Sequence, residues 1–570
     1  MVGHCTTEQD QCDGQKAKRR EGFLRSEDGS LIIFALMIFM LMLAAGGLGV
    51  DFMRYEAHRA RLQATLDRAI LAAASLDQPL DPDEVVLDYF EKAGLGQYIT
   101  EDDIHFTDSA NARYVEVNVS MPVKSTFLNF VGISELQAPA VGAAQQMAVD
   151  TEISLVLDAS TSMDSYSYSG GDDKIEILKD AARQFVNIMT CDPADPDKTT
   201  ECTVLPGTIS ISIVPYAEQV VAGEDILSRL PVTAEHTNSS CVTFDDEDFN
   251  SAVIGETTEF NRTGDFDARS GRDNAPTDSR KTCKSASWRE ITPLEGDGEI
   301  LRGNIQALRS IRSGTDYTSI DVAMKWGTIM LDPAIQPMLS DIVDEDFTNR
   351  PLPWTSRSKV IVLMTDGANT TQYYLHDGYR SGPSGVWRTN DKVSSGSYWG
   401  GSDYVYSIYN PSRDEYYIKH PYDDAIDGEY LDHPYGTGTY QACSQSWNGW
   451  RWVTTCNDVT EPGNGAMQYT FPQLWEVKTW AWYEQFSFLG DPGTSIGTSG
   501  KNDRLLDICD AAKARNIQVF TVGFETSYGD RAVLRDCATS DGHYFDVNGL
   551  DLTDAFASIA REISKLRLVN

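Results

Sequence analysis

Asp158-Ala159-Ser160-Thr161-Ser162 places one carboxylate and two hydroxyls within five residues, directly after the apolar run Ile153-Ser154-Leu155-Val156-Leu157. Such a run reads as a buried strand, so the three oxygens fall on the turn that leaves its end. Carboxylate and hydroxyl oxygens are hard donors, the kind that Mg²⁺ takes. A second apolar run, Lys359–Met364, ends in Thr365-Asp366-Gly367. A third piece, Gly314-Thr315-Asp316-Tyr317-Thr318-Ser319, is a turn that opens a helical stretch at Ile320–Leu331 and can bring a threonine hydroxyl to the same spot. Two carboxylates and three hydroxyls, with waters, suit an octahedron and leave one position for a carboxylate from elsewhere.

These pieces converge only if the strands that carry them are neighbours. From Thr151 onward, strands alternate with helices, the signature of a mostly parallel α/β sheet flanked by helices. Strands are expected at Ile153–Leu157, Ile209–Val214, Lys359–Met364, Ile517–Gly523 and Tyr544–Asp546. Ile175, Leu178, Ala182, Phe185 and Met189 form one helical face; Leu552, Phe556, Ile559, Ile563 and Leu566 form another, with Asp551 as its N-cap. In such a sheet, ligands bind beyond the carboxyl ends of the strands, where strand order reverses.

The 570 residues are too many for one core. A net charge of −38 repels nucleic-acid phosphate and anionic headgroups and attracts divalent cations; blocks such as Asp245-Asp246-Glu247-Asp248 read equally well as solvated loop. Residues 1–28 are polar. Leu31–Val50 carries no charge and, as a helix at ~1.5 Å per residue, reaches roughly 30 Å, the thickness of a bilayer's hydrocarbon. A cleaved signal peptide, cut near Ala44-Ala45-Gly46, is the rival reading, but the apolar stretch is long for one and helical pattern continues beyond it. Residues 29–78 are therefore expected to form a span and a continuing stalk. Leu62, Leu66, Ala69, Ala73 and Leu76 form its stripe, suited either to an ordinary amphipathic helix or to packing beside a similar helix. Ala45 and Gly49 would permit close helix approach. Residues 79–150 read as a small α+β unit, with a helix at Asp83–Ala93 and a period-2 strand at Tyr114–Val119.

Lysines and arginines flank the span on both sides and orient it weakly. Cysteines do better: two precede it, and an even set of eight follows, which points to an oxidising compartment for the large side. Sequence neighbours suggest Cys191–Cys202, Cys241–Cys283, Cys443–Cys456 and Cys509–Cys537. Two stretches of the unit at 151–570 break its rhythm, about 220–295 and 370–500. The second is dense in Tyr, Trp, Ser, Gly and Asp, has little period of either kind, and reads as a surface insertion that carries partner specificity.

ISLVLDASTSM, the later threonine and VIVLMTDG, in that order, resemble the von Willebrand factor A (VWFA) domain and its metal-ion-dependent adhesion site (MIDAS). The resemblance implies a Rossmann-like domain in which Ser160 and Ser162 ligate the metal directly, Thr318 takes the threonine role with Thr315 as fallback, and Asp158 and Asp366 act largely through bound water. Mg²⁺ is the implied ion, with Mn²⁺ or Ca²⁺ as alternatives. The span bounded by Asp28-Gly29 and Gly49-Val50-Asp51, then RLQATLDRAILAAASL, Lys325-Trp326-Gly327 before Leu331-Asp332-Pro333, the cysteines flanking IQVFTVGF and the ending Leu566-Arg567-Leu568 resemble TadG-like proteins of the Tad/Flp pilus system. That resemblance implies a single-pass protein of the bacterial inner membrane with its body in the periplasm. It would assist assembly or anchoring of adhesive pili, gripping an acidic side chain of a pilus-assembly component through the metal; no nucleic-acid or small-molecule partner is expected. Phe34 stands five residues after Gly29, where pilin-like members carry Glu, a departure from the prepilin-type cleavage pattern. A surface adhesin that uses the same ion on a host or matrix ligand is the alternative.

Enzyme signatures are weaker. Gly493-Thr494-Ser495-Ile496-Gly497 matches G-x-S-x-G, which requires a strand-to-helix turn; a Gly/Ser/Thr loop is expected there instead. Gly500-Lys501 lacks the first glycine and the Ser/Thr of a phosphate-binding loop. His543 reads as a packed or surface residue. The expectation is a binding protein, not an enzyme.

Overall fold

The computed structural model describes residues 28–567, apart from 76–77, 79, 110–111, 148–149, 205, 255–258, 284, 311–316, 356–357, 396–400 and 550. The chain divides into two compact units, one up to residue 148 and one from residue 149.

The first unit is built on α1 (Asp28–Ala73), one unbroken helix of 46 residues. Its first half, Leu31–Val50, is apolar and exposed almost throughout, while Leu62, Leu66, Ala69 and Ala73 are fully buried. α2 (Pro82–Lys92) follows, then an antiparallel meander of β1 (Ile104–Ser109), β2 (Ala112–Lys124) and β3 (Glu135–Met147). In β2 the period-2 pattern is complete: Val115, Val117, Val119, Met121 and Val123 all face the core. The stalk stripe therefore packs on its own sheet and on Val85, Val86 and Phe90 of α2. This corrects the option of packing beside a similar helix. The last stripe residue, Leu76, lies outside the described residues, as does the polar stretch before Asp28.

The second unit is a six-stranded sheet. Its strands are β4 (Thr151–Asp158), β5 (Ile209–Tyr216), β6 (Thr292–Glu295), β7 (Lys359–Thr365), β8 (Gln518–Phe524) and β9 (Tyr544–Val547), in the order β9-β8-β7-β4-β5-β6. All neighbours are parallel except β6, which closes one edge antiparallel to β5. This is the α/β architecture expected from the alternation of strands and helices. β4 is buried along its whole length, as a central parallel strand must be. Ile153, Leu155 and Leu157 point to one face, where α3 (Lys174–Thr190) and the terminal helix Asp551–Arg567 contribute Phe185 and Phe556. Val156 points to the other, with Ile361, Leu363 and Trp326 of α4 (Ile320–Ile329). A side chain on Gly327 would begin 2.9 Å from Val156 Cγ2, so the glycine sets how closely α4 lies on the sheet. Asp551 opens the terminal helix as its first residue, not as its N-cap.

The four cysteine pairings suggested by sequence proximity are the four disulfides found among the described residues. The stretch at 370–500 departs from expectation. It holds a five-stranded antiparallel sheet (Tyr430–Leu431, Glu415–Lys419, Tyr406–Asn410, Pro383–Thr389, Ala466–Thr470) with its own aromatic core, including Trp475, Trp480, Trp482 and Tyr483. Tyrosine and tryptophan bury an apolar body and keep a polar handle. Strands rich in them lack the apolar/polar alternation that marks a strand in sequence. Tyr406, Ser407, Ile408 and Asn410 are all buried in one such strand.

Candidate metal centre

β4 and β7 are direct neighbours, with Leu157 opposite Met364, so their carboxyl ends open side by side at the point where strand order reverses. Thr365 Oγ1 donates to Asp158 Oδ2 at 2.8 Å, and the Ser160 backbone N–H donates to Asp158 Oδ1 at 2.8 Å. Burial first, and the nearby Asp366 carboxylate second, push the Asp158 carboxyl up to about 7. The D-x-S-x-S turn then carries Ser160 Oγ to 3.0 Å from Ser162 Oγ, and Ser162 Oγ donates to Asp366 Oδ1 at 2.6 Å. Asp158, Ser160, Ser162 and Asp366 thus form one continuous cluster.

The spacing of these oxygens fits a divalent ion. Adjacent oxygens on a Mg²⁺ octahedron with bonds of about 2.1 Å stand about 3 Å apart. The two contacts of 3.0 and 2.6 Å along Ser160, Ser162 and Asp366 lie close to that edge. The donors are hydroxyl and carboxylate, hard enough for Mg²⁺. Among the described residues, no group of three or more His, Cys, Asp or Glu side chains is gathered to hold a metal. Any such ion here would rely on hydroxyls and on oxygen from outside the chain in addition to the Asp158 and Asp366 carboxylates.

Thr318 is placed differently from the other four. Its backbone N–H donates to Thr370 Oγ1 at 2.8 Å and its carbonyl accepts from Thr370 N–H at 2.9 Å. Ile320 N–H donates to Asn369 Oδ1 at 2.7 Å. The start of α4 is thereby zipped to the segment that follows Asp366. Among the described residues, no hydrogen bond joins the Thr318 hydroxyl to the other four side chains. Thr315, the fallback, lies outside the described residues.

Lys501, which follows Gly500 without the rest of a phosphate-binding loop, has a structural task. It is fully buried, donates to the Thr318 carbonyl at 3.1 Å and to Ser319 Oγ, and stands 3.5 Å from Asp321 Oδ1. Ser495 also sits otherwise than expected. Gly493–Ile496 is a strand paired with Gln372–Leu375, and a helix follows from Thr498. The serine is an exposed mid-strand residue opposite Tyr373, not the residue at the strand-to-helix turn that a nucleophile elbow needs.

Two further residues complete the cluster. Lys174, the first residue of α3, donates from Nζ to Asp366 Oδ2 at 3.0 Å and lies 3.5 Å from Glu525 Oε2. Glu525 follows the end of β8 with a left-handed φ of 55°. It accepts from Ser167 Oγ at 2.6 Å, Ser169 Oγ at 2.9 Å and Tyr168 N–H at 3.2 Å. Burial pulls its carboxyl upward, but these bonds and the Lys174 charge outweigh that and hold it at about 2. Asp158, Asp366 and Glu525 therefore stand at the ends of three consecutive strands of the sheet. Sequence reasoning missed the third, although the signal was the same: an apolar strand followed by an acid. The loop that Glu525 pins presents exposed Tyr166 and Tyr168, and Tyr528 is exposed three residues beyond Glu525.

Residues 29–76 match the family described as "Putative Flp pilus-assembly TadE/G-like". No curated protein matches the chain. Among solved structures, the chain is similar to the pilus adhesin SpaC from Lactobacillus rhamnosus GG, at 12% identity and a TM-score of 0.28, over 82% of this chain and 36% of that one. It is also similar to the vWF domain of the type V pili tip protein Mfa5 from Porphyromonas gingivalis, at 13% identity and a TM-score of 0.30, over 74% of this chain and 98% of that one.

Proposed function

We propose that this chain is a pilus-assembly scaffold, anchored in the bacterial inner membrane by α1, whose α/β unit grips an acidic group of a partner protein through a divalent ion. The TadE/G-like match at residues 29–76 supports the pilus role, and the long apolar helix supports the anchor. Four disulfides among the described residues on the C-terminal side of that helix support a periplasmic body. The observation that carries the binding mode is the convergence of Asp158, Ser160, Ser162 and Asp366 where the sheet order reverses. Asp158, Ser160, Ser162 and Asp366, with Thr318 from the neighbouring loop, would hold Mg²⁺. Bound there, the ion would supply a Lewis-acidic position open to an incoming carboxylate. Two carboxylates, one of them shared with an ammonium, make a modest ion site, which an acidic partner side chain would strengthen. The exposed tyrosines beside it suit a protein interface.

The full chain in detergent, titrated with Mg²⁺ and Mn²⁺ by calorimetry, tests this. Binding in the wild type that Ser162→Ala and Asp158→Asn abolish is the expected result. Equal titration curves for all three forms would refute the site. Pull-down from cells tests the role: pilus components should accompany the wild type and be lost with Ser162→Ala. Surface labelling of intact cells that modifies the α/β unit would favour an adhesin over a periplasmic scaffold.

A further inference from the structure

The turn between β2 and β3 is anchored to the end of the apolar helix and carries apolar side chains outward. Asp51, the first charged residue after the span, accepts backbone N–H groups from Thr126 at 3.0 Å, Phe127 at 2.7 Å and Leu128 at 2.8 Å. Arg54 adds a bond to Thr126 Oγ1 at 2.8 Å. Phe127 lies against Gly47, where an added Cβ would begin 2.5 Å from the ring. Gly47 is the one buried residue of Leu31–Val50, covered by this ring. Four residues of helix separate Gly47 from Asp51, so Phe127 sits about 6 Å nearer the middle of the span than the carboxylate does. Beyond it, Phe130 is 87% exposed and Val131 72%, and Ile133 is exposed too. On the helix itself, Phe52 and Met53 are also exposed, just past the end of the span.

A soluble turn has no reason to hold four large apolar side chains in water while its backbone is fixed by three hydrogen bonds. We propose that this turn, Phe127 to Ile133, is a second membrane contact: it inserts into the bilayer interface beside α1. The occupant is lipid because the turn is fixed to the same helix turns that emerge from the bilayer. Apolar side chains at interfacial segments sink about 5–10 Å below the headgroups, a depth that matches the offset of Phe127 from Asp51. Lys124, exposed at the end of β2, and Arg54 then lie at headgroup level. Two contacts fix the tilt and rotation of the stalk relative to the membrane, which a single helix leaves free.

This inference rests on the reading of Leu31–Val50 as a membrane span, and the experiment separates the two. The full chain is reconstituted in vesicles of phosphatidylethanolamine and phosphatidylglycerol with the photocrosslinker p-benzoylphenylalanine at position 130, 39 or 168. Position 39 lies in the span, and Tyr168 is exposed in the other unit. Lipid adducts at 130 and 39, but not at 168, are expected. Lipid adducts at 39 alone would overturn the turn's insertion and leave the span standing. Lipid adducts at neither would overturn both. Crosslinks from 130 to another protein chain, in place of lipid, would make the turn a protein-docking surface and overturn the proposal.

Discussion

Lys174 and Asp366 form a buried ion pair at the mouth of the candidate metal centre: Nζ lies 3.0 Å from Oδ2, and their side chains are 5% and 0% exposed. The other oxygen of the same carboxylate accepts from Ser162. An ammonium and a divalent ion would therefore share one carboxylate, and the ammonium weakens the ion's hold. At an effective dielectric near 20, a unit charge about 4 Å away is worth about 4 kcal/mol before relaxation. Lys174→Met should tighten Mg²⁺ binding by about tenfold or more, about 1.4 kcal/mol. It should also lower the melting temperature in EDTA, because the buried Asp366 loses its cation. Calorimetry and thermal melts with and without Mg²⁺ check both. Unchanged or weaker Mg²⁺ binding in the variant would place the ion elsewhere.

Gly327 offers a second prediction, about packing instead of charge. Replacing a mid-helix glycine with alanine gains about 1 kcal/mol of helix propensity. Here the new Cβ would begin 2.9 Å from Val156 Cγ2, on the central strand, and overpacking costs about 1–3 kcal/mol. The steric cost wins, because a buried valine on a parallel strand has nowhere to move. Gly327→Ala should lower the stability of the α/β unit slightly and Gly327→Val markedly, read as earlier thermal unfolding. Gly327→Ala as stable as the wild type would mean that α4 can lift from the sheet at no cost.

Much of the site was legible because its pieces obey one rule: an apolar strand followed by an acid. Asp158 and Asp366 both satisfy it, and parallel neighbours bring their ends together. The same rule marks Glu525 after β8. Lys174 was not legible, since it is helix-initial and reaches the site only because the loop at Ser165–Asp173 folds back; its own N–H donates to the Ser165 carbonyl. The buried stripe at Leu62, Leu66, Ala69 and Ala73 was visible as a period. What it packs on was not, because a helical stripe says that something covers it without saying what. The strands within 370–500 were hidden by composition. Tyrosines stand on both faces of Tyr406–Asn410 and Glu415–Lys419, so the period of two that marks β2 never appears.

Asp51 yields a third prediction. A buried carboxylate that accepts three backbone N–H groups leaves them without a partner when it is removed, at about 1–3 kcal/mol for the group. Asp51→Ala should speed hydrogen exchange at Thr126, Phe127 and Leu128. Exchange in the valines of β2 should be unaffected, because their sheet bonds are independent of the turn. Asp51→Asn, which retains one acceptor oxygen, should fall between. Exchange rates at these amides that do not respond to Asp51→Ala would show that the turn holds its shape without the helix.

The disulfides should differ in what they protect. Cys509 and Cys537 are both fully buried against β8 and the helices beside it. Cys443 and Cys456 face each other across a two-stranded ribbon, Thr439–Trp447 with Trp452–Thr460, that is exposed along nearly all its length and carries Trp447, Trp450 and Trp452 at its tip. A lone hairpin is at best marginally stable in water, so the crosslink decides whether this one persists. Replacing Cys443 and Cys456 with serine should make the ribbon susceptible to protease while Mg²⁺ titration and the melting of the α/β unit stay as in the wild type. Replacing Cys509 and Cys537 should leave the ribbon intact but destabilise the α/β unit by about 2–4 kcal/mol. Limited proteolysis, with fragments identified by mass, distinguishes them: cleavage within 439–460 is expected only in the first variant. Ribbon cleavage in both, or in neither, would mean that the hairpin is held by something other than its own crosslink.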